Sequence, residues 1–230
     1  MTAISVGPAL PGQAGWLSPG AAYARALSGE TCAVVRDDGT SSPLQAGRWL
    51  AAADEPDREL FVAPCAGPTL DVGCGPGRLV LALQQNGTAA HGIDVSREAV
   101  EHAQACGASV SRADVFSPLP EGLPGHGGWA HVLLADGNVG IGGRPVRLLR
   151  RVRDLLRPGG QAHVELHTGA DIGVTTRTLR LHVGGRHSTS FPWATVGPDA
   201  IGRLADQAGL LLLRLDVSGG RHVAVMGRGR

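Results

Sequence analysis

The chain has 230 residues, a formal net charge of +1 and 43% hydrophobic residues, which favours one globular domain. All 21 basic residues are arginine, so chemistry that needs a lysine, such as a Schiff base or a phosphate-loop lysine, is excluded. The balanced charge and an aromatic content of 3% predict no nucleic-acid partner, because such surfaces need basic patches and stacking platforms.

The cysteines and the N-terminus indicate a cytoplasmic protein. The four cysteines lack the CxxC spacing of a zinc or redox site, so we expect free thiols in a reducing compartment and predict no metal site. The sequence shows no secretory signal and no run of about 20 apolar residues. We therefore expect no membrane partner, and the sequence leaves the oligomeric state open.

The predicted elements change character along the chain. Residues 1–60 are expected to form a helical and loop segment, with helices over 21–27 and 48–60. From residue 68 onward, short apolar strands alternate with amphipathic helices, which predicts a parallel sheet flanked by helices. The predicted strands are 69–72, 89–93, 109–113, 132–135 and 161–166, and the predicted helices are 78–85, 97–106 and 145–156.

The last third of the chain follows a different pattern. Residues 175–183 and 186–193 flank a double glycine, so we predict a hairpin insertion over 168–197. A helix from 198 to 209 follows. The strands 210–217 and 221–226 are joined by two glycines, which can connect only antiparallel neighbours. We expect one domain over 1–230, with a core over 68–166.

A glycine-rich segment, LDVGCGPGR, lies where the first core strand ends. Its glycines, Gly73, Gly75 and Gly77, stand at every second position, and Asp71 precedes them. Glycine permits a tight turn and a close approach of the backbone to a ligand. The dinucleotide fingerprint requires Gly or Ala where this chain has Arg78, so the pattern disfavours a nicotinamide site.

An acid followed by alternating glycines resembles motif I of the class I S-adenosylmethionine-dependent methyltransferases. HGIDVS places Asp94 at the end of the second core strand, and Asp114 ends the third. LLRPGG is similar to the turn that precedes the fifth strand in this family. The resemblance implies a Rossmann-like three-layer α/β sandwich with a mostly parallel seven-stranded sheet and an antiparallel last pair.

The resemblance also implies S-adenosylmethionine as the cofactor and a set of residues that bind it. Asp94 is expected to bind the ribose hydroxyls and Asp114 the adenine amine, although Asp94 could instead cap its own helix and Asp114 could be a turn residue. The implied cofactor-binding residues are Asp71, Gly73, Cys74, Gly75, Gly77, Asp94, Val95, Asp114, Val115 and Asp136.

The acceptor is expected at the carboxyl ends of the strands. Asp136 and Asn138, in the glycine-rich loop after the fourth core strand, are candidates to contact the reacting groups. His167 is the candidate base, because imidazole accepts a proton near neutral pH. The hairpin is predicted to cover this side, and Trp16, Tyr23 and Trp49 are candidates for the opposite wall.

These predictions combine into methyl transfer to oxygen or nitrogen of a small organic acceptor, with natural-product tailoring as one role. Three alternatives stay open: a nicotinamide-dependent oxidoreductase, a methyltransferase of macromolecules and a non-catalytic regulator that binds S-adenosylmethionine.

Overall fold

A seven-stranded sheet forms the centre of the structure. A computed structural model of the chain describes residues 15–123, 125, 128–169 and 173–229. The strands are β3 (Thr69–Val72), β4 (Ala90–Asp94), β5 (Val110–Arg112), β6 (Trp129–Leu134), β7 (Leu156–Leu166), β11 (Leu211–Ser218) and β12 (Arg221–Gly227). They lie in the order β11-β12-β7-β6-β3-β4-β5. β12 is antiparallel to β7 and β11, and the other neighbours are parallel. The predicted fold class is confirmed.

The helices around this sheet begin and end where the sequence provides capping residues. They are α4 (Arg78–Gln85), α5 (Arg97–Ala105), α6 (Pro145–Leu155) and α7 (Ile201–Ala208). Ser96 caps α5 by accepting from the Ala99 N–H, and Gly209 closes α7 in the left-handed conformation. No helix of the described residues is long and apolar enough to cross a membrane.

A second sheet combines two strands of the N-terminal segment with the predicted hairpin insertion. The hairpin strands β8 (Val174–Val183), β9 (Arg186–His187) and β10 (Phe191–Val196) pair antiparallel, as predicted; residues 170–172 of the insertion lie outside the described residues. β1 (Cys32–Arg36) pairs with β8, and β2 (Ser41–Pro43) pairs with β1. These two strands correct the expectation that residues 1–60 hold only helices and loops, since β1 completes a sheet with a hairpin distant in sequence.

The N-terminal helices also differ from the prediction. α1 (Pro19–Leu27) is present, but the helix expected over 48–60 is interrupted, and residues 1–14 lie outside the described residues. α2 (Ala46–Leu50) ends early; α3 (Glu55–Asp57) then begins at a capping box and continues as a π-helical turn (Arg58–Val62). Pro56 falls in this first turn, where proline is tolerated, whereas inside one continuous helix it would remove a hydrogen bond.

The strand order fixes where a ligand can bind. β3 lies between β4 and β6, and the chain leaves β3 toward β4 but reaches β6 only later. Such a switch point opens a crevice at the carboxyl ends of the strands. The glycine-rich segment follows β3 and therefore lies at this crevice.

Candidate functional site

The loop between β3 and α4 takes a shape that requires glycine. Gly73, Gly75 and Gly77 all have positive φ angles, of 73°, 53° and 87°. The Gly73 N–H donates to the Ile93 carbonyl of β4 at 2.8 Å, which anchors the loop to the neighbouring strand. The predicted turn is therefore present, and it ends directly at the N-terminus of α4.

Gly92 of β4 lets the glycine loop lie close to this strand, because glycine has no side chain. A Cβ at position 92 would lie 2.7 Å from the Cβ and Sγ atoms of Cys74. Burial raises the pKa of the Cys74 thiol well above its ordinary value, so this cysteine is a neutral packing residue. Its contribution to a cofactor would come from its backbone.

Two buried carboxyl groups lie at the crevice. Asp94 accepts from the Gly75 N–H at 3.0 Å and from the Ser96 N–H at 2.8 Å, and it is 1% exposed. Burial raises its pKa to about 7 despite these donors. Asp71 is 3% exposed; burial raises its pKa to about 7 as well, with the Arg78 charge acting in the opposite direction. Both carboxyls therefore gain from a ligand that supplies donors or a positive charge.

An apolar pocket beside the glycine loop collects four of the predicted cofactor-binding residues. Asp114 accepts from the Phe116 N–H at 2.9 Å, so one of its oxygens closes a turn, which is the alternative role that the sequence left open for this residue. The pocket is lined by Val72, Gly73, Ile93, Val95, Ala113, Asp114, Val115 and Ile141. Its mostly apolar lining suits an aromatic base.

The loop after β6 supports the site in two ways. Asn138 donates to the carbonyls of Val72 and Gly73 at 3.0 and 2.9 Å, so its amide positions the glycine loop. Asp136 has a φ of 52°, an uncommon conformation for a residue other than glycine. Arg78 donates to both Asp136 oxygens. Burial alone would raise the pKa of Asp136, but the Arg78 charge lowers it, so Asp136 is poorly suited to accept a proton.

The sequence analysis did not anticipate a buried ion network below this loop. Arg78 makes two hydrogen bonds to Asp57, at 2.7 and 2.9 Å. Arg221 donates to Asp57 and makes two bonds of 2.8 Å to Glu165. Burial would raise the pKa of Asp57, but the two arginines hold it well below its ordinary value. The Arg78 position in the motif was visible in the sequence, but its acidic partners are distant along the chain.

A cavity of about 420 Å³ lies between the two sheets and shares Asp136 with the cofactor side. It brings together the sequence-predicted residues Trp49, Asp136, His167 and Trp193. Apolar and aromatic side chains from α2, β1, β8 and β10 form much of its wall. Its charged or titratable lining residues are Arg36, Arg48, Asp136, Glu165, His167 and Arg177.

The glycines after β6 let the loop pack against the hairpin. A Cβ on Gly140 would lie 2.1 Å from the Ala194 carbonyl oxygen and 2.5 Å from the Trp193 Nε1 atom. A Cβ on Gly143 would lie 2.9 Å from the Pro192 Cβ. The second sheet therefore forms a wall of this cavity only because the loop lacks side chains at these positions.

The three N-terminal aromatic residues have different positions. Trp49 lines the cavity, with its ring centroid 5.7 Å from that of Tyr23. Trp16 instead packs on His187 and under Arg180. Tyr23 is fully buried, and its hydroxyl has no hydrogen-bond partner among the described residues. It interacts electrostatically with Asp94 and is therefore close to the cofactor side.

The comparisons with known proteins agree with this geometry. Residues 69–160 match a family model described as a methyltransferase domain. A methyltransferase from Bacteroides fragilis, in complex with S-adenosyl-L-homocysteine, is similar over 100% of both chains, with a TM-score of 0.77 and 20% identity. No curated protein sequence matches the chain.

Two further solved structures share the fold over most of their length. The CcbJ methyltransferase from Streptomyces caelestis covers 79% of this chain and 92% of its own, with a TM-score of 0.59 and 18% identity. The 1,6-didemethyltoxoflavin-N1-methyltransferase from Burkholderia thailandensis covers 81% and 84%, with a TM-score of 0.56 and 16% identity.

The family match assigns a methyltransferase domain to this chain, and its seven-stranded sheet shares the fold of these solved methyltransferases. Its methyltransferase domain spans residues 69–160, which include the glycine loop and the strand ends that carry Asp94 and Asp114. The predicted methyltransferase class is confirmed by this domain match. The role of each individual site residue stays a prediction.

Proposed function

We propose that this protein transfers the methyl group of S-adenosylmethionine to a nitrogen or oxygen atom of a small organic acceptor held between its two sheets. The observation that carries the proposal is the position of Asp136, which lines the cavity of about 420 Å³ and accepts from Arg78, the residue directly after the glycine loop. Cavities of roughly 300–1,000 Å³ are typical of small-molecule sites.

The described residues fit the cofactor. Its adenine would occupy the apolar pocket next to Asp114, and Asp94 would accept from the ribose hydroxyls. Its ammonium group would supply the positive charge that the buried Asp71 requires. The Tyr23 hydroxyl, which has no partner among the described residues, is a further group that a polar cofactor would satisfy.

The chain's contribution to the reaction is mainly orientation. When bound, the cofactor supplies an electrophilic methyl group. Trp49 and Trp193, on facing walls of the cavity, would hold the acceptor, and the glycine loop would hold the donor in line with it. His167 lines the same cavity and would accept the proton of a hydroxyl acceptor. An amine acceptor can lose its proton to water after the transfer.

Natural-product tailoring is the cellular role that we infer. The glycopeptide N-methyltransferase MtfA and the toxoflavin-precursor methyltransferase, both similar in fold, act on compounds of this kind. Their identity to this chain is 15% and 16%, so the acceptor itself has to be found by screening. A cytoplasmic location is part of the same proposal.

The test begins with calorimetric titration of S-adenosylhomocysteine and, separately, NADH. We expect micromolar binding of S-adenosylhomocysteine only, and its loss in Asp94→Ala. Methyl-labelled donor is then incubated with a panel of small amines, phenols and carboxylic acids. Tight NADH binding would support an oxidoreductase. Binding of S-adenosylhomocysteine without methylation of any compound in the panel would support a regulator. Salt-sensitive binding of RNA would support a methyltransferase of macromolecules.

A further inference from the structure

Three buried side chains with metal-binding atoms meet at the amino end of β3, on the far side from the glycine loop. Cys65 precedes β3, His131 lies in β6 and His163 lies in β7. One potential ligand atom from each residue lies within 4.8 Å of the others. The three residues are 3%, 8% and 0% exposed. None of them lines the cofactor pocket or the acceptor cavity described above.

The hydrogen bonds of the two histidines leave one nitrogen lone pair without a donor. His131 Nε2 lies 3.3 Å from the Ala66 carbonyl, which only accepts, so this nitrogen carries the proton. In the neutral ring His131 Nδ1 then accepts from His163 Nε2, at 3.2 Å. The remaining nitrogen, His163 Nδ1, is buried with no hydrogen-bond partner among the described residues. A buried polar atom of this kind requires a physical explanation.

The arrangement fits a metal ion. Two nitrogen ligands at about 2.0–2.1 Å from a tetrahedral ion lie about 3.3 Å apart, close to the 3.2 Å between His131 Nδ1 and His163 Nε2. An ion bound there replaces the hydrogen bond between these two atoms, and the His163 ring proton moves from Nε2 to Nδ1, which has no other partner among the described residues. The Ala66 carbonyl contacts the other nitrogen of His131, as backbone carbonyls commonly do behind a metal-bound histidine. Ala66 is exposed, so only a short surface loop separates the cluster from solvent.

The surrounding charge favours a monovalent ion. One thiolate and two neutral imidazoles carry a total charge of −1, which Cu⁺ balances and Zn²⁺ exceeds. Thiolate and imidazole ligands suit Cu⁺. We propose that Cys65, His131 and His163 form a buried binding site for a thiophilic monovalent cation, Cu⁺.

Binding displaces one proton to solvent. Cys65 is a buried free thiol, and a metal ion binds the thiolate form of cysteine. The cation takes the sulfur lone pair as the proton leaves, and no electron is transferred. The bound ion would tie the loop before β3 to β6 and β7. Sequence spacing could not indicate this site, because its ligands are separated by more than 30 residues at each step.

The test uses the full chain with Cys106→Ser, because Cys106 is exposed and its Sγ lies 3.7 Å from His102 Nε2 on the surface. The protein is titrated anaerobically with Cu⁺ against a chromophoric Cu⁺ chelator, and separately with Zn²⁺. We expect one equivalent of Cu⁺ to be withheld from the chelator, and the melting temperature to rise with added Cu⁺. X-ray absorption is expected to show sulfur and nitrogen neighbours.

Cys65→Ser is expected to abolish this binding, and Cys32→Ser is the matched control, since Cys32 is also buried but lies outside the cluster. Circular dichroism checks that both variants fold. The proposal is overturned if the Cys106→Ser protein withholds no Cu⁺, or if folded Cys65→Ser binds as well as its parent. Tight binding of Zn²⁺ without Cu⁺ would refute the charge argument and with it the proposal.

Discussion

Replacing Asp71 by Asn should make the ligand-free protein more stable at pH 8. Burial raises the pKa of Asp71 to about 7 in the folded protein, against about 3.9 for an unperturbed aspartate. Each unit of pKa corresponds to about 1.36 kcal/mol, so the ionised carboxylate costs up to about 4 kcal/mol at pH 8. Asn has the same shape and carries no charge, so the variant avoids this cost.

The pH dependence has a definite sign. Between about pH 4 and pH 7 the folded protein holds a proton on Asp71 that the unfolded chain has lost, so this group makes stability fall as the pH rises. The gain from Asp71→Asn is largest at pH 8 and shrinks to about 1 kcal/mol at pH 4.5. Urea unfolding, followed by tryptophan fluorescence at both pH values, measures the difference; the lower pH is the internal control.

The same variant should bind S-adenosylhomocysteine more weakly, because the ligand ammonium loses its carboxylate partner. Below pH 7 the ligand must displace a proton from Asp71 and, by the same reasoning, from Asp94, whose pKa is also about 7. Below pH 7, log Kd then falls as the pH rises, with a slope of up to about −2 for the parent and up to about −1 for Asp71→Asn. An unchanged slope, or a variant less stable than its parent at pH 8, would refute the reasoning.

Three further changes test the remaining features. Asp57→Asn should cost about 3–5 kcal/mol in urea unfolding at pH 7, because it leaves the buried arginines Arg78 and Arg221 underpaired, and a loss under 1 kcal/mol would contradict this prediction. Because the pKa of Asp57 is lowered in the folded protein, its contribution to stability is lost progressively as the pH falls below about 4. Gly92→Ala should cost about 1–3 kcal/mol in the same assay through the 2.7 Å contact with Cys74, whereas Gly20→Ala, in α1 with open space around it, should be neutral or stabilising. His167→Ala should lower kcat about 10²–10⁴-fold for a hydroxyl acceptor but leave it near normal for an amine; equal loss for both would indicate a positioning role.

The part of the fold around the predicted cofactor site, here called the cofactor half, was predictable because the sequence patterns that specify it are local. Glycine at positions 73, 75 and 77 is required by the positive φ angle of each position alone, and each acid lies within two residues of the end of its own strand. Element boundaries moved by up to five residues, at the start of β7, and by three at the start of β6. β6 extends through Trp129 because this residue pairs with β7, which is distant in sequence. Local sequence patterns specify the turn, whereas pairing with neighbouring strands determines where a strand begins and ends.

The acceptor half, which consists of the N-terminal segment and the second sheet around the cavity, was less predictable because its contacts join residues that are distant in sequence. β1 exists as a strand because it pairs with β8, about 140 residues further along the chain, and nothing within Cys32–Arg36 identifies that partner. The interruption of the predicted helix over 48–60 was legible in principle, since Asp54, Pro56 and Asp57 form a helix start. Asn138 was selected for its place in the loop, but its amide holds the glycine turn.

The buried ion network explains how these two halves are joined. Arg78, at the start of α4, bonds to Asp57 of the N-terminal segment and to Asp136 at the acceptor cavity. Arg221, at the start of β12, bonds to Asp57 and to Glu165 of β7. Because these groups are buried, moving one carboxylate leaves an arginine charge without its partner, which is costly in a low-dielectric interior. Ion pairs therefore hold the N-terminal segment, which forms part of the acceptor cavity wall, to the glycine loop. The dinucleotide fingerprint takes Gly or Ala at this third motif position for close packing, whereas here Arg78 joins the glycine loop to Asp57 and Asp136.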